Sequence, residues 1–233
     1  MIRLLRKGIY QLKTHPHAWW ILLYTLFYSV SFAVLEQSGH RHYHIIHTWI
    51  DEQIPFCKYF IIPYLLWFVF MVVIVCWFIF RADRVDYYRV IAVLMMGMTL
   101  FLVISAVYPN KLDLRPTSFD SSGICGALVS WLWKTDTPTN VLPSIHVFNT
   151  VVLCYAMHSN RKVRGHRMVL AAVDVMGVMI VLSTMFLKQH SVIDVSLALV
   201  MSVVLQTVGD WMFAGSAQSA KEQKAYMRSA ERL

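Results

Sequence analysis

His190 and Asp194 stand four residues apart in the stretch STMFLKQHSVID, Ser183 to Asp194. On a helix that spacing puts both on one face, where the carboxylate accepts a hydrogen bond from one imidazole nitrogen and leaves the other free to attack or bind. Ser183, Thr184 and Lys188 interrupt the same apolar run. Polar groups at the edge of a membrane span are expensive and usually functional. Two other segments carry similar chemistry. KLDLRP contributes the cations Lys111 and Arg115, and NVLPSIH contributes Ser144 and His146. In the latter, Pro143 suits a first helical position, with Ser144 donating from the first turn. A helix N-terminus offers free N–H groups and a positive dipole end, which together favour an anion such as phosphate. Cations, a hydroxyl-bearing helix start and two histidines, one paired with a carboxylate, suit phosphoryl transfer. No acidic cluster for a catalytic metal accompanies them, and no cofactor is expected.

These residues need a scaffold, and composition says which. The chain has 233 residues, 58% hydrophobic and 15% charged, with a mean hydropathy of +0.53. An ordinary soluble domain does not look like this. Long apolar runs with few charges read as transmembrane helices of about 20 residues each. Six are expected, over 19–35, 55–80, 90–108, 143–157, 168–187 and 191–213, in a single all-α membrane domain covering 1–233 with a polar tail over 214–233. The short fourth run puts its first turn at the membrane edge. Gly126 to Trp133 reads as a short interfacial helix within the polar segment 109–142.

Lysine and arginine placement orients the bundle. Of the 21, 15 fall in the N-terminus, the 81–89 linker, the 161–167 loop and the tail. Cytoplasmic loops carry the excess of positive charge, so both termini are expected in the cytoplasm. The three chemistry-bearing segments then meet at the extracytoplasmic face. Insertion bias also accounts for the net charge of +8, and a nucleic-acid partner is not required.

The three segments resemble the signature motifs of the type 2 phosphatidic acid phosphatase superfamily, K-x6-RP, PSGH and SR-x5-H-x3-D. PSIH, Pro143 to His146, differs from the second only at Ile145, and Ser183 to Asp194 differs from the third at Thr184. In the first, Arg115 and Pro116 match, while Lys111 lies four residues before Arg115 and Tyr108 holds the lysine position. These departures are similar to the branch that includes inositol phosphorylceramide synthases. The resemblance covers about 108–195. It implies His190 as nucleophile, Asp194 as its orienting group, and His146 as general acid and then base. Arg115 and Ser144 would hold phosphate, with Lys111, Lys188 and Ser183 assisting. The implied activity is metal-free hydrolysis of a lipid phosphomonoester or diphosphate, of the phosphatidic acid, phosphatidylglycerol phosphate or undecaprenyl diphosphate type, at the outer leaflet of a bacterial plasma membrane. Transfer of a phospho-headgroup to a lipid hydroxyl is the alternative within enzymes. An inactive relative that binds or transports phosphorylated lipid is the alternative outside them.

Other features have plainer readings. The cluster His40 to His47 is expected to be a wet loop rather than a metal site. The four cysteines show no zinc or redox spacing; Cys57 and Cys125 share the outer side, as a disulfide or as two free thiols. Asp174 and Asp210 read as structural. No GxxxG pattern marks a helix interface, and the oligomeric state is left open.

Overall fold

The computed structural model describes residues 18–37 and 42–230, and the side chains of 19–37 and 42–215. The basic residues of the N-terminus, with His40 and Arg41, lie outside the described residues. Among the described residues, eight α-helices follow in order: α1 (Ala18–Gln37), α2 (Trp49–Gln53), α3 (Ile61–Arg81), α4 (Arg84–Val107), α5 (Gly123–Thr135), α6 (Ile145–Ser159), α7 (Arg167–Phe186) and α8 (Val192–Ala230). A 3-10 turn, Lys58–Phe60, leads into α3. The sole sheet among the described residues is a parallel pair, β1 (His44–Ile45) with β2 (Asn110–Lys111).

Among the described residues, five helical stretches are long and apolar enough to cross a membrane: Trp19–Gln37, Lys58–Arg81, Arg84–Val107, Arg167–Phe186 and Val192–Gly215. Their outward faces carry exposed Trp20, Leu26, Val72 and Val203, as expected where lipid is the solvent. The run over 143–157 is a different object. Its helix, α6, has 15 residues and a length of about 22 Å at 1.5 Å per residue, short of a hydrocarbon core roughly 30 Å thick. It sits inside the bundle, burying Val147, Phe148, Asn149, Thr150, Val152, Leu153, Ala156 and Met157 among α3, α4, α7 and α8. The other helices surround it, so α6 needs no full-length apolar exterior. Gly97 of α4 makes the fit possible, because a Cβ there would lie 2.0 Å from the Phe148 ring.

Other boundaries also differ from expectation. Helix α8 runs without a break to Ala230, so most of the 214–233 tail continues a membrane helix. Helix α5 is more than an interfacial segment: Val129 and Leu132 bury against Ile61, Tyr64 and Leu187, while Trp131 stays exposed. All four cysteines are free thiols. In the histidine-rich segment, His44 stacks on Tyr108 at 4.2 Å and His47 pairs with Glu52 at 3.3 Å. No three His, Cys, Asp or Glu side chains converge as metal ligands among the described residues.

The end of the bundle away from the chemistry is tied by polar contacts. Asp210 of α8 accepts from Arg89 Nη1 at 2.9 Å and from the Tyr155 hydroxyl at 2.6 Å. Asn160 donates to Asp86 at 2.9 Å, and His158 meets Asp174 at 2.8 Å. These contacts fix α4, α6, α7 and α8 relative to one another.

Candidate active site

Helix α7 ends in a turn that sets the position of His190. Leu187 is the C-cap, Lys188 N–H returns to Met185 O at 3.0 Å, and Gln189 N–H to Thr184 O at 2.9 Å. This pair of bonds is the Schellman arrangement, which requires a left-handed residue after the cap. Lys188 occupies that place with φ 55°, where glycine is the usual choice. His190 N–H also donates to Thr184 O, at 3.0 Å. The histidine is therefore held by the turn and lies ahead of α8, which starts at Val192. Its partner Asp194 is in the first turn of that helix, so the two are not neighbours on one helical face, as their spacing suggested, yet they still meet.

His190 Nδ1 lies 3.3 Å from Asp194 Oδ2, and His190 Nε2 lies 3.4 Å from His146 Nδ1. Both His190 and Asp194 are buried. Asp194 Oδ2 also accepts from Ser191 N–H at 2.9 Å, and Ser144 N–H donates to Asp194 O at 3.2 Å. With the Nδ1 proton donated to Asp194, the Nε2 lone pair of His190 faces the second ring. The His146 ring is packed by Trp67 and Tyr64, with centroids 4.4 and 4.9 Å away.

Both histidines border a cavity of about 390 Å³, whose polar wall includes Asp136 and Gln189 and whose apolar wall includes Trp67 and Phe101. No lysine or arginine lines this cavity among the described residues. Arg115 stands behind its wall. Its Nη2 donates to Gln189 Oε1 at 2.7 Å and Asp136 O at 2.9 Å, and its Nη1 to Trp133 O at 3.2 Å. Burial lowers its pKa, and Asp136 and Tyr64 oppose that shift. Arg115 thus orients Gln189, and the charge reaches the cavity through a polarised amide. Gln189 Nε2 and Trp67 Nε1, both on residues that line the cavity, are buried donors without a partner among the described residues. Buried donors are normally paired, so these two favour an acceptor-rich ligand.

The remaining sequence-predicted residues are placed elsewhere. The Lys188 ammonium turns away to Asp51 O and Ile54 O, at 2.6 and 2.5 Å. Lys111 is held by its backbone in β2, and its side chain does not line the cavity. Ser183 Oγ donates to Ile180 O at 2.6 Å inside α7. Thr184 Oγ1 bonds Val181 O in the same way, at 2.7 Å. Ser144 is the N-cap of α6 and Pro143 precedes it, two places before the first helical position it was expected to hold; the fully buried Ser144 Oγ accepts from Val147 N–H at 3.4 Å. None of these four predicted phosphate contacts (Lys188, Lys111, Ser183, Ser144) is supplied by a side chain free in the cavity. Sequence reasoning missed Gln189, Asp136, Tyr64 and Trp67, which have no distinctive spacing. Gln189 is the exception in one respect, since it adjoins His190.

Asp136 gives a prediction on pH. Burial raises its carboxyl above the ordinary 3.8, with His190 and Arg115 opposing. The folded state holds this proton more tightly than the unfolded chain does. Its stabilising contribution is therefore complete below 3.8 and is lost as pH rises through the folded value. Asp136→Asn, which still accepts from Tyr64, is expected to gain in Tm over wild type between about pH 4 and 7. A Tm difference that stays flat over that range would refute the assignment.

Comparison with known proteins finds no matching family model, no similar curated protein and no similar solved structure. The class is defined by the molecule itself: a helical membrane protein with five long apolar helices. Beside a cavity lined by α3, the start of α6 and the turn after α7 it carries a His190–Asp194 pair facing a second histidine.

Proposed function

We propose that the protein is a metal-independent lipid phosphate phosphatase that works through a phosphohistidine. In this reading α6 and the five long helices make six passes, both termini are cytoplasmic, and the cavity opens toward the outer leaflet of a bacterial plasma membrane. The bias of lysine and arginine toward one set of loops supports that orientation. The substrate is a lipid phosphomonoester or diphosphate.

One observation carries the reading: His190 has a carboxylate on one ring nitrogen and a second histidine 3.4 Å from the other. A pair of imidazoles with one oriented by a carboxylate is suited to nucleophilic and acid–base roles in the same step. His190 Nε2 attacks phosphorus and forms the N–P bond as the P–O bond to the lipid breaks. His146 gives its proton to the departing oxygen. In the second step His146 takes a proton from water, whose oxygen attacks phosphorus and releases His190 and inorganic phosphate. Gln189, backed by Arg115, and the unpartnered Trp67 N–H supply donors for the phosphoryl oxygens.

A second reading is favoured by one feature, the absence of lysine and arginine from the cavity lining among the described residues. A phosphodiester carries one negative charge where a monoester carries up to two, so it needs less cationic compensation. The same histidines would then transfer a phospho-headgroup from a diester to a lipid hydroxyl. The test supplies detergent-purified protein, in excess chelator, with lipid phosphomonoesters, diphosphates and diesters, each with and without a lipid alcohol. Free phosphate from monoesters or diphosphates supports hydrolysis. A new phospholipid formed only when the alcohol is present supports transfer. No product in any arm overturns both and leaves lipid binding or transport.

A further inference from the structure

The turn that carries His190 is gripped from outside by a residue about 140 positions earlier in the chain. Asp51 lies in the short helix α2, in the outer segment between α1 and α3, and is 2% exposed. Its Oδ2 accepts from the Ser191 hydroxyl at 2.7 Å and its Oδ1 from Val192 N–H at 2.8 Å. Oδ2 also accepts from Thr48 N–H at 2.9 Å, closing a capping box on α2. One carboxylate thus caps its own helix and the start of α8. The grip continues through the main chain, since Lys188 Nζ holds the carbonyls of Asp51 and Ile54. Residues 188, 191 and 192 are therefore all fixed to the same place. Between them stand Gln189 and His190, the two turn residues that border the cavity.

This arrangement also accounts for a lysine at a left-handed position. Glycine would adopt φ 55° without strain, but it could not reach Asp51. Buried carboxylates are uncommon unless their oxygens are fully bonded. Asp51 meets that condition by joining two outer segments, and it makes no contact with the cavity.

We propose that Asp51 is a positioning residue for His190, its carboxylate and carbonyl bracketing the turn so that Nε2 is held toward His146. The proposal rests on the histidine chemistry above for its kinetic consequence, but its geometric content stands independently. Asp51→Asn preserves shape and removes the second good acceptor, so at least one of the three carboxylate contacts is lost. In full-length protein the expected result is a fall in kcat of roughly 10- to 100-fold, the scale of a displaced catalytic group, with KM within about twofold. Ser191→Ala removes one contact to Asp51, together with the Oγ that accepts from Ile193 N–H at 3.1 Å, and is expected to cost less. The double variant Asp51→Asn/Ser191→Ala is expected to lose less than the two single losses combined, because the two residues share one contact. Lys188→Gly keeps the backbone turn and removes the clasp, giving a second loss of kcat without a change of fold.

Ile74 in the core of α3 supplies the control for simple destabilisation. Ile74→Val, or Ile74→Ala if needed to match the Tm of Asp51→Asn, is expected to keep wild-type kcat. Equal loss of kcat in that control overturns the proposal, as does wild-type kcat in folded Asp51→Asn. Imidazole NMR of 13C-labelled histidine separates this proposal from the functional reading. The His190 ring signals, assigned through His190→Ala, are expected to shift and broaden in Asp51→Asn. If wild type turns over no lipid but the signals shift, the functional reading fails and the positioning role stands. Unchanged His190 signals overturn the positioning role whatever the activity.

Discussion

Replacing His190 with alanine is expected to abolish turnover, by on the order of 10⁴-fold or more, as for nucleophiles that act as one unit with their partners. Two features set the size of the effect. His190 is the imidazole whose geometry is fixed on both nitrogens, by Asp194 at 3.3 Å and His146 at 3.4 Å. Its backbone N–H on Thr184 O persists in the alanine variant, so the turn is kept and the loss reports the ring alone. The measurement is phosphate release in excess chelator, run beside acid-quench trapping with 32P-labelled substrate. Wild type is expected to carry acid-labile, alkali-stable label, and His190→Ala none. Equal turnover by the two proteins would remove His190 as nucleophile. Label retained in His190→Ala would move that role to His146.

His146→Ala is the second large effect, and its size is expected to depend on the leaving group. A positioned general acid contributes about 10²- to 10⁴-fold, so a lipid alkoxide should lose that much. An aryl phosphate departs without a proton and is expected to lose less than about tenfold in the first step. With the same imidazole activating water in the proposed second step, the variant should then release the phenol in a burst and hydrolyse the phosphoenzyme slowly. Stopped-flow absorbance distinguishes the outcomes. Equal losses for alkyl and aryl substrates, with no burst, would show that His146 only shapes the cavity. The ring's contacts with Trp67 and Tyr64 make that structural alternative specific enough to test.

The helical class and the His190–Asp194 pair were legible because both depend on local patterns, whereas His146, 44 residues away, was brought to them by the expected topology and the motif resemblance. Apolar runs report length against bilayer thickness, and a histidine four residues from an aspartate remains within reach even when a turn replaces the helix. Phosphate-binding side chains were less legible. A lysine near an active-site histidine looks like a phosphate ligand, but the direction of Lys188 is decided by φ 55° and by two carbonyls in a distant segment. Ser144 and Ser183 lie at motif positions, yet one caps a helix and the other bonds its own backbone. Asp51 was invisible for a related reason. It stood in a polar loop beside Glu52, and nothing in its surroundings forecasts a contact with Ser191. The fourth run was legible as short, but its enclosure by the other helices, which frees it from the bilayer's length requirement, was not.

The contact between Asp51 and Ser191, 140 residues apart, also orders events during synthesis. The first outer segment leaves the ribosome long before the turn that it grips. Helices α3 to α7 must all be inserted before Ser191 arrives, and α8 must follow to bring Asp194 beneath His190. Until then His190 has neither its carboxylate nor its bracket. A chain arrested before its last helix therefore lacks the His190–Asp194 pair, which forms only with the completed bundle.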